Sequence, residues 1–311
     1  MPPKRQRPKI SEKVGGGAKS AAPTAPPEPV KKFTAGVSTS GRGQKIIVYG
    51  GSGIGKSSLV ALAPTPIFLP LDDGSVNLRD PYTNEKVQQV QDADGVPPCT
   101  FAETRNALQQ YSIYDKFETV VIDTATVLQD LSHQYMFDTI PHEKGQTVNS
   151  IEGYGYGKGY THMYDVMKLI IQDCDELIRR GKNVIIIIQS TIATVANAAG
   201  DDYVCDAPQL YPGNKITPSI RDLYIQWADH VLFVNHANTA VKDKKIKGDV
   251  TRAVFTQGQL HFKAKTRVLA SGEVIPDVIC FEDVKDDSIW QYIFPEGGSD
   301  VQAKTNTPPV P

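Results

Sequence analysis

No run in the 311 residues approaches the ~18 consecutive apolar residues of a membrane-spanning helix. The N-terminus also lacks the apolar stretch of a secretory signal, so the chain is expected to make no use of a membrane and to stay in the cytoplasm where it is made. Cysteine is scarce: Cys99, Cys174, Cys205 and Cys280 form no CxxC pair. That excludes a disulfide or zinc framework and leaves free thiols in a reducing compartment. A strong net charge is missing as well, with 33 Lys+Arg against 35 Asp+Glu, and no internal repeat is visible. At 40% apolar and 22% charged residues the composition is that of a globular chain long enough for a substantial core.

The near-zero total hides an asymmetry. Residues 1–32 hold eight Lys/Arg against Glu12 and Glu28, a local +6 that leaves −8 for the remainder. Residues 1–43 also contain seven Pro and six Gly with few large apolar side chains, too little to offset the entropy of ordering. They are expected to form a disordered basic tail, and residues 296–311 a disordered tail of little charge. Between them, 44–295 is patterned sequence, read as one domain of α/β class with a mostly parallel sheet.

Short apolar runs supply the strands of that sheet: Lys45–Tyr49, Ile67–Leu71, Thr119–Ile122, Val184–Ile188 and Val231–Val234. Helices are expected at Lys56–Ala63, stopped by Pro64, and from the capping box of Thr100 and Glu103 to about Tyr111. Two more fit Ala125–Phe137 and Tyr160–Ile178, the latter with an apolar stripe of Met163, Val166, Met167, Ile170, Cys174, Leu177 and Ile178. After Asn235 residues alternate, as in Thr251–Phe255 and Gln259–Arg267, which predicts antiparallel strands appended to the core.

Gly50-Gly51-Ser52-Gly53-Ile54-Gly55-Lys56-Ser57 satisfies GxxxxGK[ST] directly after a strand and directly before a helix. Glycines let successive backbone N–H groups turn around a phosphate. Lys56 is expected on the β and γ phosphates, Ser57 on Mg²⁺, and Ser58 extends the binding segment. A second acid for the metal is Asp123, which ends Val120-Val121-Ile122. No Glu follows it, since the next residue is Thr124, so a water-orienting carboxylate must come from elsewhere. Asp72, with Asp73 beside it, ends the run that follows the P-loop helix and is the candidate. Gln189, at the end of another core strand and followed by Ser190, is placed to hydrogen-bond a γ-phosphate.

These features, with Gly155-Tyr156-Gly157-Lys158-Gly159-Tyr160, resemble the RecA-like ATPases, most closely the phage-encoded RecA-like single-strand annealing and recombination proteins. The resemblance spans Gln44 to about Arg267 and implies a RecA-like core, ATP and Mg²⁺ as cofactors, and DNA-stimulated hydrolysis, which Asp72 in place of the group's usual acid is expected to make slow. It further implies single-stranded DNA as partner, a homo-oligomeric ring or filament, a single-strand-binding protein as a further partner, and a bacterial host's cytoplasm as location. Asp72 departs from the Glu usual in that group and shortens the reach by one methylene.

The group places two DNA-contacting loops after its equivalents of the Asp123 and Gln189 strands, here Pro141–Gly159 and Thr191–Pro218. In the first, Tyr154, Tyr156 and Tyr160 with Lys158 could stack bases and touch phosphates. In the second, Tyr203 and Tyr211 accompany one cation, Lys215. Residues 242–267 carry eight Lys/Arg, among them Lys244, Lys245 and Lys247, as a candidate phosphate surface. The resemblance makes Lys265 and Arg267 candidates to reach a neighbouring subunit's γ-phosphate. Two other readings stay open: a P-loop NTPase or kinase acting on a small molecule, and a nucleotide-gated scaffold or helicase loader that hydrolyses poorly.

Overall fold

Ile46, Ile47, Val48 and Tyr49 are all fully buried, and successive residues face opposite sides of one sheet. A strand covered on both faces by helices reads as a continuous apolar run, which is why the sequence announces these strands so plainly. The computed structural model describes residues 42–295 apart from 198–199, 238, 243–244, 249–250, 270–271, 273 and 282. The side chains of Asp73, Lys245 and Lys247 lie outside that description, as do Lys244 and both expected tails save Arg42 and Gly43.

In chain order the elements begin with β1 (Lys45–Gly50), α1 (Lys56–Val60), β2 (Pro66–Pro70), β3 (Gln88–Gln89), α2 (Phe101–Gln109) and β4 (Thr119–Asp123). They continue with α3 (Ala125–Thr139), α4 (Lys158–Arg179), β5 (Asn183–Val195), β6 (Tyr203–Pro208), α5 (Ile220–Trp227) and β7 (His230–His236). The last are β8 (Thr239–Lys242), β9 (Lys245–Gly248), β10 (Arg252–Phe255), β11 (Val278–Phe281) and α6 (Ser288–Ile293). A nine-stranded sheet runs β11-β10-β7-β1-β5-β4-β2-β3, with β6 paired to β5 off that path; β8 and β9 form a separate hairpin. From β7 to β3 every pairing on the path is parallel, while β10, β11 and β6 are antiparallel.

This is the expected α/β architecture with appended antiparallel strands. The strand β5 intervenes between the P-loop strand β1 and the acid-bearing β4, so both loop ends meet at one sheet edge. One face packs against α2, α3, α4 and α5, and all seven residues of the predicted α4 stripe are buried there. The other face packs against α1 and α6. Thr100 caps α2 through the predicted box, its hydroxyl accepting from Glu103 N–H at 3.1 Å while Glu103 accepts from Thr100 N–H at 3.1 Å. Among the described residues no helix is long and apolar enough to cross a membrane.

Three expectations differ. The P-loop helix ends at Val60, because tighter i→i+3 bonds from Leu62 and Ala63 take over ahead of Pro64. Gln259–Arg267 alternates but makes only isolated bridges, Gln259 and Asp206 to Phe262 and Val231 to Lys265. The strand expected to stop at Ile188 instead continues for seven more residues and folds back as β6.

Candidate active site

The loop between β1 and α1 is held tight by its glycines. A Cβ on Gly50 would stand 2.3 Å from the Val234 carbonyl oxygen of β7, and Gly55 has φ +101° where α1 begins. Lys56 is 6% exposed, and its ammonium donates to the carbonyls of Gly50 at 3.0 Å and Gly51 at 2.8 Å and to Gln189 Oε1 at 2.9 Å. Burial holds its pKa below the ordinary lysine value, against the pull of Asp123 and Asp72.

Ser57 Oγ donates to Asp123 Oδ2 at 2.8 Å, bringing together the two residues predicted for the metal. Asp123 is 2% exposed, and burial pushes its carboxyl up to about 6 despite the Ser57 hydrogen bond. A buried carboxylate short of positive charge beside a hydroxyl is a hard-oxygen donor set that fits Mg²⁺. Among the described residues there is no cluster of three or more His, Cys, Asp and Glu, so a divalent ion here would complete its shell with phosphate and water oxygens.

Asp72 lies just past β2, which neighbours β4 and is separated from β1 by β5 and β4. Its charge still acts on both Lys56 and Asp123. Half-buried, it accepts from Gly74 N–H at 2.8 Å, an Asx turn that fixes the carboxylate. Gln189 is the residue that joins this centre to the rest of the molecule. Its side chain holds Lys56, its N–H donates to Thr126 Oγ1 at 3.1 Å, and its carbonyl accepts from Gln209 N–H at 2.7 Å. Thr126, two residues into α3, escaped the sequence reading because a lone Thr beside a helix start reads as a cap.

The Gly-Tyr-Gly-Lys-Gly-Tyr stretch divides. Tyr154 is buried, its hydroxyl donating to the carbonyls of Met136 at 3.1 Å and Ile140 at 2.9 Å, so this ring belongs to the core. Tyr156 is 99% exposed and takes φ +49°, a left-handed conformation uncommon for a bulky residue, between Gly155 and Gly157 at +72° and +75°. Lys158 opens α4 and pairs with Glu143 at 2.5 Å. Tyr160 stacks on Tyr211 with centroids 4.6 Å apart, and the space of a Cβ on Gly157 falls 3.1 Å from Thr217 Cγ2. The two segments expected to contact DNA therefore touch. Beside them a cavity of about 350 Å³ is lined by Thr126, Gln129, His133, Tyr160, Tyr211 and Arg221 among others.

The remaining cations sit elsewhere. Lys265 bridges Val231 near the start of β7, and Arg267 pairs with Asp229 at 3.2 Å, a carboxylate shared with Arg42 at 3.2 Å. Both therefore lie at the sheet edge opposite the P-loop of their own chain, where a strand begins and not where it ends.

A phosphate loop whose lysine, serine and strand-end aspartate converge in this way defines a P-loop ATPase. Residues 42–268 match the family described as AAA domain, and the chain belongs to that family. Among solved structures, a KaiC-like protein from the hyperthermophilic archaeon Pyrococcus horikoshii OT3 is similar with 11% identity, 78% of this chain and 91% of that one covered, and a TM-score of 0.40. No curated protein matches the chain.

Proposed function

We propose that this P-loop ATPase is a RecA-like protein of the phage-encoded recombination and annealing group, which binds single-stranded DNA as an oligomer and hydrolyses ATP slowly. One observation carries the reading: Gln189 is hydrogen-bonded to Lys56 of the P-loop on one side and to Thr126 and Gln209 on the other, and these two line the cavity beside the stacked Tyr160–Tyr211 pair. Such a connection lets the occupancy of the γ-phosphate position bias a surface suited to bases.

In the proposed mechanism Lys56 and the loop N–H groups hold the triphosphate, and Ser57 and Asp123 hold Mg²⁺, which supplies charge neutralisation on the phosphates when bound. Asp72, fixed by its Asx turn, orients a water and accepts its proton. Gln189 accepts from Lys56 and so registers what shares that ammonium. Tyr156 stacks on bases, while the basic tail and Lys244, Lys245 and Lys247 bind phosphates.

The test is the ATPase rate of the full chain with and without single-stranded DNA, with Lys56→Ala as control. Stimulation by DNA that vanishes in Lys56→Ala is the expected result. A rate indifferent to DNA, with no single-strand binding at low salt in ATP, overturns the recombination reading in favour of a small-molecule NTPase. Tight ATP binding with DNA binding but negligible turnover assigns the nucleotide-gated scaffold instead.

A further inference from the structure

The side chains assigned above to the γ end of a nucleotide stand on one side of the P-loop. Gln189, Asp123 and Asp72 belong to β5, to β4 and to the turn after β2, the successive neighbours of β1 in that direction. The opposite flank of β1 is β7, and beyond it β10. Arg252 on β10 pairs in register with His236, two residues beyond Val234, the partner of Gly50. That places it at the C-terminal edge of the parallel strands, level with the phosphate loop.

Its guanidinium reaches the loop. Nη1 donates to the Ile54 carbonyl at 3.4 Å, and a Cβ on Gly55 would lie 2.5 Å from the same nitrogen. Phe281, its cross-strand partner on β11, backs it with the ring centroid 4.9 Å from the guanidinium carbon. Among the described residues no carboxylate forms an ion pair with Arg252, unlike Arg42, Arg105, Arg179, Arg180 and Arg267. A half-buried arginine with no acid, supported on one face by an aromatic ring, stands beside the phosphate loop where it can meet a ligand of that loop.

A nucleotide whose γ-phosphate lies toward β5 and β4 must send its ribose and base toward β7 and β10. We propose that Arg252, backed by Phe281, binds the nucleoside end of the nucleotide, its planar guanidinium stacking on the base. This rests on reading Gly50–Ser57 as the triphosphate site. It also takes Arg252 out of the DNA-facing cluster into which its charge alone had placed it.

The test compares ATP with inorganic tripolyphosphate, which has the phosphates and no nucleoside, by calorimetry on the full chain with Mg²⁺. Wild type should bind ATP more tightly than tripolyphosphate. Arg252→Ala should weaken ATP about tenfold, a cation–π contact in the partly desolvated range, and leave tripolyphosphate within about twofold. Arg252→Lys, which keeps the charge and loses the plane, should show most of the ATP loss and reads the same question if the alanine variant does not fold. Equal losses for both ligands make Arg252 a brace of the loop and overturn the proposal. So does an unchanged ATP affinity, or a wild type that does not distinguish the two ligands. A wild type that binds neither overturns the triphosphate site itself, which is a different failure.

Discussion

Trp290 offers a measure of how far the P-loop depends on the C-terminal end of the domain. It is 3% exposed, and its indole Nε1–H donates to the Leu59 carbonyl at 2.7 Å, pinning α6 against α1. The helix so held has five residues, well below the length that is stable alone in water. Trp290→Phe removes the hydrogen bond and keeps most of the packing. Leu59 O still accepts from Leu62 N–H at 3.2 Å, so no carbonyl is orphaned, and the cost should be about 1 kcal/mol. Trp290→Ala also empties the space under α1 among Val60, Ile289 and Ile293, and should cost about 3–5 kcal/mol. Equilibrium unfolding in denaturant gives both numbers, and calorimetry with ATP gives the affinity of each variant. The Phe variant should bind ATP nearly as wild type, and the Ala variant more weakly. Loss of 3–5 kcal/mol with ATP affinity unchanged would refute the idea that α6 positions α1, and an Ala variant as stable as the Phe variant would refute the packing argument.

Asp72→Asn should preserve ATP binding and lower turnover by ~100-fold or more, as expected for loss of a general base; if Asp73→Asn shows the loss and Asp72→Asn does not, the assignment shifts by one residue. The native Asp123 carboxyl, at about 6 against an ordinary 3.8, binds more protons than the unfolded chain between those values. In chelator and without nucleotide, the protein should therefore lose stability as pH rises through that window, by on the order of 3 kcal/mol from this group. Asp123→Asn should abolish that part of the slope in pH-dependent denaturation, and an unaltered slope contradicts the burial argument. Affinity for single strands should fall with salt at a log–log slope of roughly −0.7 per phosphate contact. Deleting residues 1–43 should flatten the slope, whereas Tyr156→Ala should cost about 1–3 kcal/mol at unchanged slope; a deletion that alters neither affinity nor slope removes the tail from the interface.

What could be read in advance was whatever physics writes locally. Strands sandwiched between helices show as unbroken apolar runs, and GxxxxGK[ST] is contiguous, so β1, β2, β4, β5, β7 and the loop were all visible. The hairpin of β5 and β6 was hidden because its inward residues are small, Ala193, Cys205 and Ala207, and leave no hydrophobic signal. Helix α5 was hidden by Arg221, a charge that is buried and spends its guanidinium on the carbonyls of Pro208 at 2.9 Å and Leu210 at 3.3 Å. Spacing alone made Tyr154, Tyr156 and Tyr160 equivalent. Only the turn of chain through Gly155 and Gly157 sends the first inward and the second into solvent. Charge counting likewise put Arg252 with its sequence neighbours, since it takes no account of which strand a residue pairs with.

The ammonium of Lys56 has three protons, and all three are engaged, by two loop carbonyls and the amide of Gln189. A fourth acceptor can enter only by displacing one of these. The Gly50 and Gly51 carbonyls are main chain in a loop fixed by close packing on β7, whereas the glutamine amide turns about single bonds. A phosphate oxygen that takes up this ammonium would therefore displace Gln189 first. Occupancy of the loop would then be read as whether one side-chain amide is tethered or loose, on a strand that runs on without a break into the hairpin with β6.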